Sequence, residues 1–212
     1  MQVKVFAHHR DIFRWRTLIL VGDDWTIRGT VFMKNPGSSS PTLKDITASE
    51  LSNLNRIDDS EKWYIFTEDP TMTAIVSLFC KGAESKGEVF EGIIQIFNII
   101  NVMSPDLEHA VKLFQSISDP AKSTWESDIK NIIPPVYIGW GNFYRHHLFS
   151  DIGTALISAI NGKEYIEYLA QSGFTHPLYL MVFGANKPKC IAIRENFYKH
   201  FCQISRTTIS EK

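Results

Sequence analysis

The segment Lys34-Asn35-Pro36-Gly37-Ser38-Ser39-Ser40 follows a short apolar run, Gly29-Thr30-Val31-Phe32-Met33. Its glycine and small side chains let backbone N–H groups approach a phosphate or a polar ring, and Asn35 adds an amide beside them. The segment lacks the spacing of a Walker loop or a dinucleotide fingerprint. A tight turn is the alternative use of the same residues. Asn98 and Asn101 interrupt the most apolar stretch of the chain, Gly92 to Met103. An unpaired amide there costs roughly 1–3 kcal/mol, so each must bond something. The partner is either neighbouring backbone or a polar ligand edge, read through donor and acceptor together. His176, in His176-Pro177-Leu178, is either structural or a donor that stabilises a developing anion. Asp69, in Asp69-Pro70-Thr71, is either a helix cap or a second polar group in the same site.

Other reactive residue types point nowhere. Adjacent His146 and His147 project to different faces and make a poor metal pair. Cys80, Cys190 and Cys202 form neither a disulfide framework nor a zinc spacing, and fit a reducing compartment. No metal and no redox cofactor is implied.

The elements that would position these side chains alternate. Val3, Val5 and Ala7, then Thr17 to Val21, suggest an N-terminal hairpin. Strands are expected over 29–33, 62–66, 92–100 and 136–140, with a last one from Pro177 to Phe183. Helices are expected over 48–56, capped by Thr47 or Ser49; from Pro70 to Lys81; from Ser104-Pro105 onward; and over 150–169. Strand–helix alternation from residue 29 is the pattern of a parallel sheet covered on both faces, a mainly parallel α/β/α fold with an added hairpin. Ligands of such sheets sit beyond the carboxyl ends of the strands. The expected site is therefore lined by Asn35, Pro36, Gly37, Ser38, Asn98, Trp140 and His176. One domain is expected over 1–212: a hairpin extension to 28, a core over 29–183 and a basic segment from 184.

Composition sets the outer bounds. A chain of 212 residues can bury a core without staples, and 44% hydrophobic with 12% aromatic content opposes wholesale disorder. A net charge of -1 excludes a polybasic protein. Residues 187–212 carry six basic and two acidic side chains, which suits either a solvated helix or a phosphate contact. The dozen-residue apolar run is too short to span a membrane, and early His8, His9, Arg10 and Asp11 break any apolar leader, so a cytoplasmic protein is expected.

Four spaced features taken together carry a resemblance: Lys34-Asn35-Pro36-Gly37-Ser38, the Asn98-bearing strand through Val102, Val136 to Gly141, and His176-Pro177-Leu178-Tyr179-Leu180. With Asp69-Pro70-Thr71 between the first two, the chain resembles an uncharacterised prokaryotic family known as domain of unknown function 1643. More remotely it is similar to the uracil-DNA glycosylase superfamily. That similarity implies a glycosylase-like three-layer fold, with Asn35 at the water-activating position and Asn98 at the base-reading position. It also implies His176 at the transition-state-stabilising position and Leu178 near the residue that wedges into DNA. The usual water-activating Asp and the Ser-Pro after His-Pro are absent from this chain. The expected ligand is a nucleobase, a nucleotide or nucleic acid, with N-glycosidic hydrolysis as the reaction. The alternatives are a binding module without turnover and an interaction protein with a vestigial pocket.

Overall fold

The computed structural model describes residues 2–141, 149–159 and 175–204. Six strands form one sheet: β1 (Val3–Arg10), β2 (Phe13–Val21), β3 (Ile27–Met33), β4 (Trp63–Phe66), β5 (Gly92–Asn98) and β6 (Val136–Ile138). Their order across the sheet is β4-β1-β2-β5-β3-β6. β1 pairs antiparallel with β4 and with β2, and β2 pairs antiparallel with β5. β3 runs parallel to both β5 and β6. The sheet is therefore mixed, and the parallel arrangement expected of the whole sheet holds only for its β5-β3-β6 half.

The N-terminal hairpin is not an appendage to this sheet. β2 is fully buried along its length and lies between β1 and β5, so the hairpin supplies a central strand. A second departure concerns Pro177 to Phe183. That stretch is helical and ends in a π-helical turn, Tyr179–Phe183, rather than forming a last strand. Its apolar run is as compatible with a buried helical turn as with a strand, because periodicity cannot separate the two over so short a length.

Helices α1 (Ala48–Ile57), α2 (Pro70–Glu84), α3 (Leu107–Ser116), α4 (Trp125–Asp128), α5 (Ser150–Ala159) and α6 (Pro188–Ile204) complete the described chain. Local chemistry sets their starts. Thr47 and Glu50 form a reciprocal capping box on α1. Asp69 caps α2 by accepting the Met72 N–H at 2.9 Å, with Pro70 in the first turn. α3 starts later than expected. Asp106 caps it through the Glu108 N–H at 2.8 Å, while the Ser104 hydroxyl accepts the Asp106 N–H at 3.1 Å. Two short polar side chains compete for one cap, and Asp106 takes it. The expected helix over 150–169 is present to Ala159, and residues 160–174 lie outside the described residues, as do His146 and His147 and the side chain of Cys202.

Alternation along the strands divides the core in two. Phe6, Leu18, Leu20 and Ile93 pack with Trp63 and with Leu54 of α1. Their strand neighbours Val5, Ile19, Val21 and Ile94 pack with Ile75 and Phe79 of α2 and Phe197 of α6. A β-bulge interrupts this alternation. Between the Phe6–Leu18 and His8–Trp15 pairs, β1 supplies one residue and β2 supplies two. Arg16 sits in the bulge at φ 48°. In a regular strand, residues three apart point to opposite faces. Across this bulge Arg14 and Thr17 line the same cavity.

Arg16 belongs to a second buried polar group. Its Nε and the Nε2 of His8 each lie 3.7 Å from Asp58 Oδ2. Its guanidinium lies 5.2 Å from the centre of the Phe97 ring. Asp128, also buried, accepts the Thr124 hydroxyl at 2.8 Å. Asn101 joins the same network, donating to Ala121 O at 3.0 Å and to Thr124 Oγ1 at 3.1 Å.

Candidate functional site

The end of β3 and the end of β5 stand side by side, with Met33 in register with Asn98. Two backbone bonds extend the pairing past the ladder: Ile99 N–H to Met33 O and Ile100 N–H to Lys34 O, both 3.0 Å. These bonds hold the base of the Lys34–Ser40 loop against the Asn-bearing strand. The loop above is tied from three sides. Asn35 Nδ2 donates to Ser104 O at 2.8 Å. Arg14 donates through Nη2 to Pro36 O and through Nη1 to Ser39 O, the latter at 3.4 Å. Ser39 donates to Thr67 O at 2.6 Å. Gly37 turns the loop at φ 70°, and a Cβ there would meet nothing within 4 Å, so the backbone conformation alone selects glycine.

Together these elements enclose a cavity of about 240 Å³. Asn35, Pro36, Gly37, Asp69, Asn98 and His176 all line it. Strand and loop residues far apart in sequence are thus brought to one place. Four other expected positions are elsewhere. Ser38 is exposed and does not line the cavity. Trp140 is completely buried, with its ring centre 6.4 Å from that of Phe32. Asn101 lies outside the lining and gives its Nδ2 to the network around Thr124, with its Oδ1 buried and unpartnered among the described residues. Leu178 is half-buried and lies outside the lining, its N–H donating to His176 Nδ1.

His176 reaches the site because β6 ends in glycine. A Cβ on Gly139 would lie 2.7 Å from Pro177 Cδ and 2.8 Å from Met33 Sδ. Only glycine permits that approach, which brings the His-Pro segment against the end of β3. Nδ1 of His176 accepts the Leu178 N–H at 3.3 Å, so the ring proton sits on Nε2. Burial, and then the charge of Lys34, push the imidazole down to about 4 against the opposing pull of Asp69. At neutral pH His176 is an uncharged N–H donor.

Among the lining side chains that the expected site did not include are Arg14, Thr17 and Lys34. Arg14 is 3% exposed, and burial pulls its guanidinium down to about 10 despite the attraction of Asp69. Thr17 is equally enclosed, and Lys34 is half-buried with its ammonium drawn down by desolvation. The signal that could have found the first was present: an arginine set between Phe13 and Trp15. Buried arginines are rare and almost always engaged.

The polar groups of this cavity are incompletely used. Asn98 Oδ1, Thr17 Oγ1 and Arg14 Nε are buried and have no hydrogen-bond partner among the described residues. Groups so placed call for an explanation, because each forfeits its bonds to water on folding. Asp69 is the one acidic residue among the described lining residues, and it spends Oδ1 on the α2 cap. Among the described residues no cluster of His, Cys, Asp and Glu could hold a metal ion, and no helix is long and apolar enough to cross a membrane.

No family model, curated protein or solved structure matches this chain.

Proposed function

We propose that the cavity is a nucleobase- or nucleotide-binding site built for N-glycosidic hydrolysis. The carrying observation is Asn98, an amide at the end of the most apolar strand whose Oδ1 is buried beside the cavity without a partner among the described residues. An amide in that position reads a base edge that offers a donor and an acceptor side by side. Asn35 orients water through its Oδ1, since its Nδ2 is held by Ser104 O. The water oxygen adds to the anomeric carbon, and the C–N bonding pair leaves with the base. The water proton ends on the departing base. His176 donates Nε2–H to the base as charge builds on it, and a neutral imidazole does so without becoming a trapped ion pair.

Two further observations support this reading. The loop after β3, the end of β5 and the His-Pro segment meet at one cavity, in the order expected from the resemblance to domain of unknown function 1643 and to uracil-DNA glycosylases. The parallel β5-β3-β6 half supports a glycosylase-like arrangement for that part of the chain. A second reading, binding without turnover, is favoured by Asp69. The only acid lining the described cavity is engaged as a helix cap, which leaves the water with a weak activating partner. A vestigial pocket fits less well, because Asn98 Oδ1 is not satisfied by the described residues.

Titration calorimetry against nucleobases, nucleosides, nucleotides and short oligonucleotides, with chromatographic detection of released base, tests the reading. Binding by one class is expected, and Asn98→Ala should weaken it at least about tenfold while changing stability by less than about 1 kcal/mol. Release of free base assigns hydrolysis, and binding without release assigns the sensing role. Undiminished binding by Asn98→Ala overturns the base-reading role.

A further inference from the structure

Cations and acids are unequal in this cavity. Arg14 and Lys34 both line it, against Asp69 alone. Among the described residues none of the three makes an ion pair within 4.0 Å. With His176 uncharged at neutral pH, the lining carries a net positive charge. Charges taken out of water without a partner are costly, and a bound anion offsets that cost.

The geometry adds donors to the charge. α2 is a 15-residue helix whose first turn, with Thr71 and Met72, faces the cavity. Its N-terminal end attracts anions, a pull already met in part by the Asp69 carboxylate, which accepts the Met72 N–H. Independently of the helix, Thr17 Oγ1 and Arg14 Nε are buried at the cavity and unpartnered among the described residues. Thr17 is 1% exposed and Arg14 3% exposed, so neither can turn to solvent for a partner. Thr17 pairs across the sheet with Ile96, two residues before Asn98, which sets the hydroxyl and the amide on the same face. A base edge at Asn98 and an anionic group near Lys34 and Arg14 thus have separate recognition groups in one cavity.

We infer that the ligand carries a phosphate: the cavity takes a nucleoside phosphate, with Asn98 on the base and Lys34, Arg14 and Thr17 on the phosphate. This rests on the base-reading role of Asn98 for the nucleoside part only. The anion site stands on residues that role does not use. Burial draws both cations toward neutrality, and a bound phosphate reverses that pull, so phosphate binding tightens the charge it needs. Arg14 also holds the loop, so Lys34 is the side chain whose removal leaves the frame intact.

Calorimetry on the full chain with matched pairs separates the two parts. Each nucleoside is compared with its 5′- and 3′-monophosphate, alongside inorganic phosphate, ribose 5-phosphate and short single-stranded oligonucleotides. A monophosphate should bind at least about tenfold tighter than its nucleoside. Lys34→Gln should remove that advantage, Lys34→Arg should retain most of it, and raising salt from about 0.1 to 0.5 M should shrink it. Tighter binding of oligonucleotides than of monophosphates assigns the phosphate to a nucleic-acid backbone, and the reverse assigns a free nucleotide. Equal binding of nucleoside and monophosphate overturns the phosphate site and leaves the base reading standing. Binding of all phosphates regardless of base supports the phosphate site and overturns the base reading. Absence of binding by every compound overturns both.

Discussion

Arg14 shows how one side chain joins framework to site. Two of its N–H groups cap the carbonyls of Pro36 and Ser39, and its guanidinium lies 5.1 Å from the centre of the Phe66 ring. The planar fork reaches two carbonyls at once, which a lysine cannot do. Arg14→Lys should therefore cost about 2 kcal/mol in urea unfolding, because at least one buried carbonyl loses its donor. Ligand affinity should fall with it, since the loop that carries Asn35 is no longer pinned. Wild-type stability in Arg14→Lys would remove the loop-holding role. Asn98 makes the contrasting case at the same scale. Its amide was legible as anomalous from the sequence because it interrupts an apolar strand. Asn101, three residues on, looked the same in sequence, and its Oδ1 is also buried without a partner among the described residues, yet its Nδ2 is taken by Ala121 O and Thr124 and it does not line the cavity. The chain after β5 turns away from the ladder between them, and that turn is a property of the tertiary path.

At the scale of elements, the site depends on close approach between strand ends. Gly139 lets Pro177 and Met33 meet over the end of β6. Gly139→Ala adds a methyl 2.7 Å from a proline ring, which cannot swing aside as the Met33 thioether can. Either Pro177 moves or β6 does. The expected outcome is a loss of about 1–3 kcal/mol and a ligand affinity reduced more than stability alone explains, as His176 is carried outward. Parallel thermal-shift and calorimetric measurements on Gly139→Ala check this, and unchanged affinity would detach His176 from the site. The helix starts were largely readable. Thr47 and Asp69 cap α1 and α2 as their types and spacing dictate. The π-helical turn after His176 was not, because a five-residue apolar run satisfies strand and helix templates equally. The β-bulge was not readable either. It needs the β1–β2 register, and only that register shows why Arg14 and Thr17 share a face.

For the whole molecule, the side of the sheet carrying Arg16 sets the pH response. Burial pushes the Asp128 carboxyl up to about 7, against the Thr124 hydrogen bond and the attraction of Arg16, with Asp58 adding to the rise. The group is protonated more readily folded than unfolded, where its value is about 3.9. Its contribution to stability is therefore fully present below about pH 4 and is lost as pH rises through about 7. The Asp128 contribution to the unfolding free energy, read as the difference between wild-type and Asp128→Asn urea titrations, should fall between pH 5 and pH 8 by an amount on the order of a few kcal/mol. Asp128→Asn keeps an acceptor for Thr124 and should flatten that slope, leaving the variant more stable than the wild type at pH 8. A slope that survives in Asp128→Asn would assign it to other groups. His176 works in the opposite direction. Its value, depressed to about 4, removes stability as pH falls below about 6.5, the ordinary range of the free side chain.

The sequence by itself determined an α/β chain, most of its strands and helix caps, and the three polar side chains Asn35, Asn98 and His176 that stand out from apolar or turn-forming surroundings. Those are local signals: periodicity, capping chemistry and the cost of an amide in an apolar run. Only the tertiary structure decided that the hairpin supplies a central strand, that the sheet is mixed, and that Trp140, Asn101, Ser38 and Leu178 stay out of the cavity lining. It alone brought Arg14, Thr17 and Lys34 into the cavity. The physical reason is that strand order, register and bulges are set by the summed burial of residues far apart in the chain. No window of neighbouring residues contains that sum.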